Sequence, residues 1–197
     1  MRARTALGSL ALIGTLTVLS ACGGSGGSSA QTKSTPTSSA ADASPAGDIP
    51  DTQAYVPFRP MAGGFTVSVP EGWARTDLSN GAVFADKFNS IRVEQTTAAS
   101  APTTVSVQAD VIPQIRADRG AVVAGAQKVV RKAGNAIRIT YLQDSAPDPT
   151  TGKVVTLAVE RYLFWKNGTL ASITLSGAQG ADNVDPWRTV TNSFAWS

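Results

Sequence analysis

Few side chains in this sequence could support catalysis. There is no histidine among the 197 residues, and Cys22 is the only cysteine. Without histidine, neither a Ser-His-Asp triad nor a Cys-His pair can form, and zinc sites of the cysteine–histidine type are excluded as well. A single cysteine also excludes an internal disulfide. The sequence therefore predicts no catalytic residue of these kinds, no metal site and no cofactor.

Carboxylates are the remaining candidates for acid–base chemistry. A glycosidase acting on cell-wall sugars needs two carboxylates about 5–9.5 Å apart across a cleft. Glu94 and Glu160 are candidates for such a pair, but nothing in their spacing joins them. Asp144 and Asp148 lie in a proline-containing loop whose spacing matches no EF-hand, so that loop indicates a turn. We therefore expect that the chain is not an enzyme.

Cys22 ends a segment that has the order of a secretory signal. Residues 1–4 form a short cationic start, and residues 7–18 are an uncharged, largely apolar run. That run is about a dozen residues long, whereas a helix that spans the bilayer needs roughly 20. Residues 1–21 are therefore predicted to be a signal peptide, and a transmembrane anchor is disfavoured.

The residues around the cysteine resemble the lipobox of bacterial lipoproteins, which consists of Leu, two small residues and Cys. Leu19, Ser20, Ala21 and Cys22 fit that pattern. The resemblance implies cleavage before Cys22 and a diacylglyceryl anchor with palmitate-type chains on its sulfur. Two acyl chains anchor a protein stably, whereas one binds only marginally. The predicted location is the extracytoplasmic face of the cell membrane, and the alternative is a secreted protein with an idle cysteine.

Residues 22–54 are predicted to be a disordered tether. They are mostly small or polar residues and proline, with too little apolar surface to offset the entropy lost on ordering. Packing is expected to begin near Tyr55, so the predicted domain spans residues 55–197. The formal charge of the whole chain, +3, is too small to indicate a nucleic-acid partner.

The domain has the pattern of an antiparallel sheet. Apolar and polar residues alternate over residues 65–70, which predicts a strand with one buried face. Residues 154–165 are partly apolar on both faces, which favours a central strand in a sheet covered on two sides. Asn167 and Gly168 predict a type I′ hairpin turn. Further strands are predicted at residues 82–86, 90–97, 127–132, 136–143 and 170–176.

Two helices complete the predicted domain. Residues 103–118 form the first, and Pro113 within it predicts a kink or an early stop. The second begins with Asp185 as its N-cap and Pro186 as its first residue. The apolar stripes are Val107, Val111 and Ile115 in the first helix and Val184, Trp187, Thr191 and Phe194 in the second. Strands interrupted by one helix and closed by another predict an α+β fold with an antiparallel sheet packed against helices.

The order of these elements resembles that of PsbP-like domains. Residues 65–73 resemble the opening strand and the P-x-G-W turn of that family, and residues 136–141, the strand ending at Trp165 and the closing helix with Phe194 extend the match. Together with the lipobox and tether, the chain is most similar to actinobacterial lipoproteins of the LpqN and LpqT type. The resemblance implies an α-β-α sandwich around a mainly antiparallel sheet, no shared catalytic residues, and action by binding other proteins.

Four residues of the domain are candidates for ligand binding. Glu160 and Arg161 lie in the middle of an otherwise apolar strand, where a charge needs a partner or solvent. Trp73 and Trp165 are candidate aromatic anchors of a binding groove. For all four, a purely structural role is the competing interpretation. The sequence also has a group of basic residues near one hairpin, but side chains alternate along a strand, so they are divided between opposite faces: Lys128, Arg131, Lys132 and Arg138.

These observations leave two functional hypotheses besides the hydrolase. The first is a lipid-anchored, non-enzymatic envelope protein that binds a protein partner or an envelope component. The second is a carrier of a small molecule or lipid, with an aromatic-lined pocket between the sheet and a helix. Both predict membrane attachment through Cys22 and no nucleic-acid partner.

Overall fold

The computed structural model describes residues 47–197, and every structural statement below concerns that part of the chain. The predicted signal peptide, the predicted lipidation site Cys22 and residues 22–46 of the predicted tether lie outside the described residues. Within residues 47–197, no helix combines the length and the apolar character that crossing a membrane requires.

Ten strands make up about half of the described chain. They are β1 (Tyr55–Phe58), β2 (Phe65–Pro70), β3 (Ala74–Leu78), β4 (Gly81–Asp86), β5 (Asn89–Thr97), β6 (Val122–Arg131), β7 (Gly134–Asp144), β8 (Thr156–Lys166), β9 (Thr169–Ala178) and β10 (Ala195–Trp196). Seven of them form one antiparallel sheet in the order β3-β4-β5-β9-β8-β7-β6, and three form a small antiparallel sheet in the order β1-β2-β10. The predicted antiparallel sheet is confirmed.

Strand β8 lies inside the large sheet, as its apolar character on both faces predicts. Val159 and Leu163 pack into one core, and Tyr162 and Phe164 pack into the other, because successive side chains of a strand point to opposite faces. The turn after β8 has φ of 47° at Asn167 and 81° at the glycine that follows. Positive φ at both central positions is the requirement of the predicted type I′ turn.

Helix α1 covers the face to which Val159 and Leu163 point. It begins as Thr104–Ser106, widens into a π-helical turn over Val107–Val111 and continues as Ile112–Arg116. The proline ring at position 113 would collide with the carbonyl four residues earlier in a regular α-helix, so the wide turn just before it gives the ring room. Pro113 therefore does not stop the helix.

The wide turn also changes which residues of α1 face the core. Val107 and Ile115 are buried as predicted, but Ile112 is buried as well, whereas Val111 is only half-buried. A π-helical turn holds one residue more than an α-helical turn, so the apolar stripe extends forward by one position. Val111 still packs against this core, so Ile112 widens the predicted stripe rather than replacing Val111.

Helix α2 spans Val184–Ser193, and its N-cap is Asn183 rather than the predicted Asp185. The first helical hydrogen bond runs from the Trp187 N–H to the Asn183 carbonyl at 3.0 Å. Since the helix begins earlier than predicted, Val184 falls on its outer side and is 68% exposed. Asp185 lies in the first turn, where a carboxylate favours the positive end of the helix dipole.

The two helices lie on opposite faces of the large sheet. Residues of α1 join the core of Ile139, Val159 and Leu163, whereas α2 and the small sheet join the core on the other face. In that second core the Phe194 ring stacks on Phe164 with centroids 4.3 Å apart. This arrangement confirms the α+β fold and the α-β-α layering predicted from the sequence.

Packing begins earlier in the chain than Tyr55. Ile49 is 4% exposed, and its N–H donates to the Asn183 side-chain oxygen at 2.8 Å. The Asn183 side-chain Nδ2 donates to the Gly47 carbonyl at 3.1 Å and to Asn89 Oδ1 at 3.0 Å. Residues 47–54, which were assigned to the tether, therefore belong to the packed part of the chain. The composition of this stretch hides the contact, because Ile49 is its only large aliphatic residue.

Candidate functional site

The four predicted ligand-binding residues do not come together. Glu160 and Arg161 are neighbours in β8, so they lie on opposite faces of the sheet. Arg161 donates from Nε to the Thr174 hydroxyl at 3.1 Å and supports the sheet surface there. Trp165 lies on the same face as Arg161, whereas Trp73 packs half-buried against the core under α2. Glu160 is the one of the four that lines a cleft together with guanidinium groups.

Glu160 lies on the floor of a cleft between the large sheet and α2, which we call the α2 cleft. Its volume is about 410 Å³. The floor comes mainly from β7 and β8, which pair Arg138 with Tyr162 and Thr140 with Glu160, and Arg131 of β6 lies beside them. The side chains that give the cleft its chemistry are Arg131, Arg138, Glu160, Tyr162, Trp187 and Arg188.

One hydrogen-bonded network connects the charged groups of the α2 cleft. Glu160 accepts from Arg138 Nη1 at 3.1 Å and from the Tyr162 hydroxyl at 2.6 Å. Arg131 donates from Nη2 to the Tyr162 oxygen at 2.7 Å and from Nε to the Thr191 hydroxyl at 3.0 Å. Its guanidinium also lies 4.9 Å from the centre of the Tyr162 ring. These contacts fix Arg131 before any ligand arrives.

Arg138 is the guanidinium of the network that a ligand can reach. Its side chain is 28% exposed, and that of Glu160 is 19% exposed. With its side-chain oxygen turned toward Arg138, Gln127 accepts a hydrogen bond from Nε at 3.2 Å. Arg138 therefore has partners on two sides that hold its planar group in one orientation, which favours bidentate contact with a carboxylate or phosphate.

The α2 cleft has an excess of positive charge. Among its lining residues, Arg131, Arg138 and Arg188 stand against the single carboxylate of Glu160. Burial raises the pKa of the Tyr162 hydroxyl, and the Glu160 carboxylate to which it donates raises it further. Tyr162 therefore stays neutral over the physiological range and does not cancel this positive charge.

Helix α2 forms the wall of the cleft. Trp187 is half-buried and packs against the core beneath the helix, which holds its indole at the cleft. Arg188 follows at the rim and pairs with Asp185 at 2.5 Å, with both side chains largely exposed. Such an exposed ion pair is weak, so Arg188 remains able to exchange partners.

Sequence reasoning found part of this site. It named Glu160, and it placed Arg131 and Arg138 in a basic set, but it did not join the three. Tyr162 and Arg188 were missed as site residues. The alternation of Glu160 and Tyr162 in β8 was visible in the sequence. Their meeting with Arg138 depends on the register between β7 and β8, which the sequence does not show.

The carboxylate pair considered for a glycosidase does not form. Glu94 lies on β5 and points to the face opposite Glu160, so no cleft lies between the two. Arg92 donates to Glu94 from Nε and Nη2 at 2.7 and 2.8 Å. These bonds hold the pKa of the Glu94 carboxyl below its usual value. Glu94 is thus an ionised, paired side chain on the sheet surface.

Comparison with known proteins identifies the fold. No protein-family model and no curated protein matches this chain. Among solved structures, the PsbP protein CyanoP of Synechocystis matches with a TM-score of 0.53 and 16% identity, covering 77% of this chain and 98% of that one. At this identity the similarity concerns the fold alone. The described domain therefore has a PsbP-like fold, as the sequence predicted.

Two other solved structures are more distant. LpqN of Mycobacterium tuberculosis, described as involved in cell envelope biogenesis, has a TM-score of 0.46 and 14% identity, covering 75% of this chain and 92% of its own. The Ran-binding protein Mog1p of Saccharomyces cerevisiae has a TM-score of 0.49 and 12% identity, covering 73% and 95%. The narrower similarity to actinobacterial lipoproteins remains a prediction from the sequence.

Proposed function

We propose that this chain is a non-enzymatic binding protein of the cell envelope, held at the extracytoplasmic face of the membrane by a lipid on Cys22. Its domain binds a small envelope component that has a carboxylate or a phosphate, and the α2 cleft is the binding site. The observation that carries this proposal is that hydrogen bonds hold two guanidinium groups, those of Arg131 and Arg138, beside a single lining carboxylate in a concave site between sheet and helix. The proposal develops the hypothesis of a pocket between sheet and helix.

The size and the chemistry of the α2 cleft support a small ligand. Its volume of about 410 Å³ lies within the range of small-molecule sites, roughly 300–1,000 Å³. Because Arg131 is already held by Tyr162 and Thr191, binding does not have to pay for ordering that side chain. Arg138 and Arg188 supply the exposed donors, and Trp187 supplies an apolar wall.

Native mass spectrometry tests the cleft. Residues 23–197, purified from an actinobacterial host, are expected to retain an extra mass that corresponds to an anionic metabolite. Arg138→Gln should lose that mass. Arg116→Gln should keep it, because Arg116 is exposed at the end of α1, on the other face of the sheet. If the mass is absent, or if it persists in Arg138→Gln, the α2 cleft is not the site of a small ligand.

Cross-linking in intact cells distinguishes a protein partner from a small ligand. A bare polypeptide mass, together with a protein cross-linked through Arg188 or its neighbours on α2, would assign the cleft to a protein partner. That outcome would retain the binding role and overturn the small-ligand assignment.

The membrane part of the proposal has its own test. Cys22→Ser should appear outside the membrane fraction after a carbonate wash, because no acyl chain is attached. Ser20→Ala keeps a small residue in the lipobox and should remain in the membrane fraction. Retention of Cys22→Ser in washed membranes would contradict the lipid anchor.

A further inference from the structure

A second cavity lies on the opposite face of the sheet from the α2 cleft. Its volume is about 500 Å³, and it lies between residues 101–104 and strands β6, β7 and β8. We call it the strap cavity, after residues 98–103, the strap that leads into α1. Nothing in the proposed function uses this site, and Trp165 is the only predicted ligand-binding residue among its lining residues.

The floor of the strap cavity is a row across three strands. Lys128 of β6 pairs with Ile137 of β7, and Ile137 pairs with Leu163 of β8. Ile137 and Leu163 are each 5% exposed. Two interstrand spacings separate Lys128 from Leu163, a span of about 10 Å. The row therefore runs from a cation at the sheet edge onto buried aliphatic side chains.

Trp165 and the strap hold the cavity open. The Trp165 indole N–H donates to the Ala98 carbonyl at 2.8 Å, and the Ala98 N–H donates to the Gly168 carbonyl at 2.9 Å. At the other end of the strap, the Thr103 side chain caps α1 by accepting from the Ser106 N–H at 3.0 Å. Only small residues and a proline lie between the two attachments, so no bulky strap side chain fills the space.

A smaller cavity of about 210 Å³ adjoins the strap on its α1 side. It shares Ala101, Pro102 and Leu163 with the strap cavity and is also lined by Val107, Leu170 and Asp110. The strap therefore borders both cavities.

Lys128 gives the strap cavity one charged end, and the other polar lining residues, Thr103, Thr104 and Asn135, are neutral. Lys128 is the only ionisable residue that lines the strap cavity, and it forms no ion pair with any residue in 47–197. An anionic group placed there gains an opposite charge and meets no carboxylate. A neutral or cationic head gains nothing from Lys128.

We infer that the strap cavity binds an amphiphile with one anionic head group and an unbranched apolar tail. The head pairs with the Lys128 ammonium, and the tail lies over Ile137 and Leu163 beside Trp165. Carboxylate and phosphate heads share this chemistry, and the tail supplies most of the affinity through burial of apolar surface.

Titration calorimetry with three probes tests the head group. Decanoate and decyl phosphate are expected to bind with a stoichiometry of one, and decanol more weakly. Lys128→Gln should weaken decanoate binding about fivefold, as expected for loss of a partly exposed ion pair, and leave decanol binding unchanged. Lys132→Gln is the matched control, because Lys132 is exposed in the turn after β6 and does not line the cavity.

Equal weakening by both lysine substitutions would overturn the assignment of the head group. Stronger binding of decanoate would indicate a fatty acid, and stronger binding of decyl phosphate a phosphorylated lipid.

A steric variant tests the position of the tail. Ala101→Trp places a large ring in the strap without removing a core side chain, since Ala101 is exposed. It should abolish binding of all three probes. Arg138→Gln, in the α2 cleft, should leave decanoate binding unchanged, which separates this inference from the proposed function. Saturable binding that survives Ala101→Trp, or the absence of saturable binding by the unmodified chain, would refute the inference.

Discussion

The substitution Asn183→Ala should release the chain at Gly47 from the rest of the domain. Asn183 is 3% exposed, and its side-chain amide holds three groups: the Ile49 N–H, the Gly47 carbonyl and Asn89 Oδ1. Alanine can replace none of these hydrogen bonds. The site is closed to solvent, so water cannot satisfy the released groups without local opening.

The expected cost follows from the number of bonds. Each contributes about 1 kcal/mol net, so their loss should lower the free energy of unfolding by about 3 kcal/mol. With a urea dependence of about 2 kcal/mol per molar for a small domain, the unfolding midpoint should fall by about 1.5 M. Asn192→Ala, on the same helix but outside this cluster, should cost no more than about 0.5 kcal/mol.

Urea unfolding of residues 23–197, followed by tryptophan fluorescence, measures this difference. A second chain that starts at Pro50 lacks two of the three partners, so there Asn183→Ala should cost only about 1 kcal/mol. The difference of about 2 kcal/mol between the two chains is the coupling between Asn183 and residues 47–49. If Asn183→Ala costs the same in both chains, or no more than Asn192→Ala, the reasoning about this contact is wrong.

Three further predictions concern strand packing and Tyr162. Gly81→Ala should cost at least about 3 kcal/mol in thermal unfolding, because its Cβ would collide with the Val93 carbonyl, whereas Gly125→Ala meets no atom within 4 Å and should be tolerated. The folded-state pKa of Tyr162 is raised above 10.0, so its contribution to stability is complete below pH 10 and is lost as the pH rises through the folded value. Tyr162→Phe should therefore reduce the loss of stability between pH 9 and 11, and an unchanged loss would contradict this. Glu160→Gln should lower the pKa of Tyr162, measured by ultraviolet titration of the phenol, since the carboxylate opposes phenolate formation.

Much of the large sheet was predictable because its side chains obey a period of two. In β5 and β9 the inward residues Ile91, Val93, Ile173 and Leu175 are fully buried, as alternation requires. Strand β3 was missed for the opposite reason. It is an edge strand whose side chains are almost all exposed, so it has no buried face to create a pattern.

The errors in the helices came from local interactions that the hydrophobic pattern of the sequence does not show. Asp185 is a good N-cap residue, but the helix begins after Asn183, whose side chain is committed to the buried contact with Ile49. In α1, the wide turn before Pro113 added Ile112 to the buried stripe. The charged cluster of the α2 cleft could not be predicted for a third reason. It depends on the register between strands, which brings together residues far apart in the sequence.

The contact between Asn183 and residues 47–49 also determines how mechanical load enters the domain. A pull on the chain ahead of Gly47 loads the Asn183 side chain and the bond from the Asp182 N–H to Asp48 before it loads the backbone ladder between β1 and β2. The two hydrogen bonds between Asn183 and residues 47–49 share a single side chain and fail together, whereas a strand ladder resists as a set. The Asn183 contact is thus a weak point ahead of the sheet. Tension would release it first, and the free chain would lengthen by several residues before the core is disturbed.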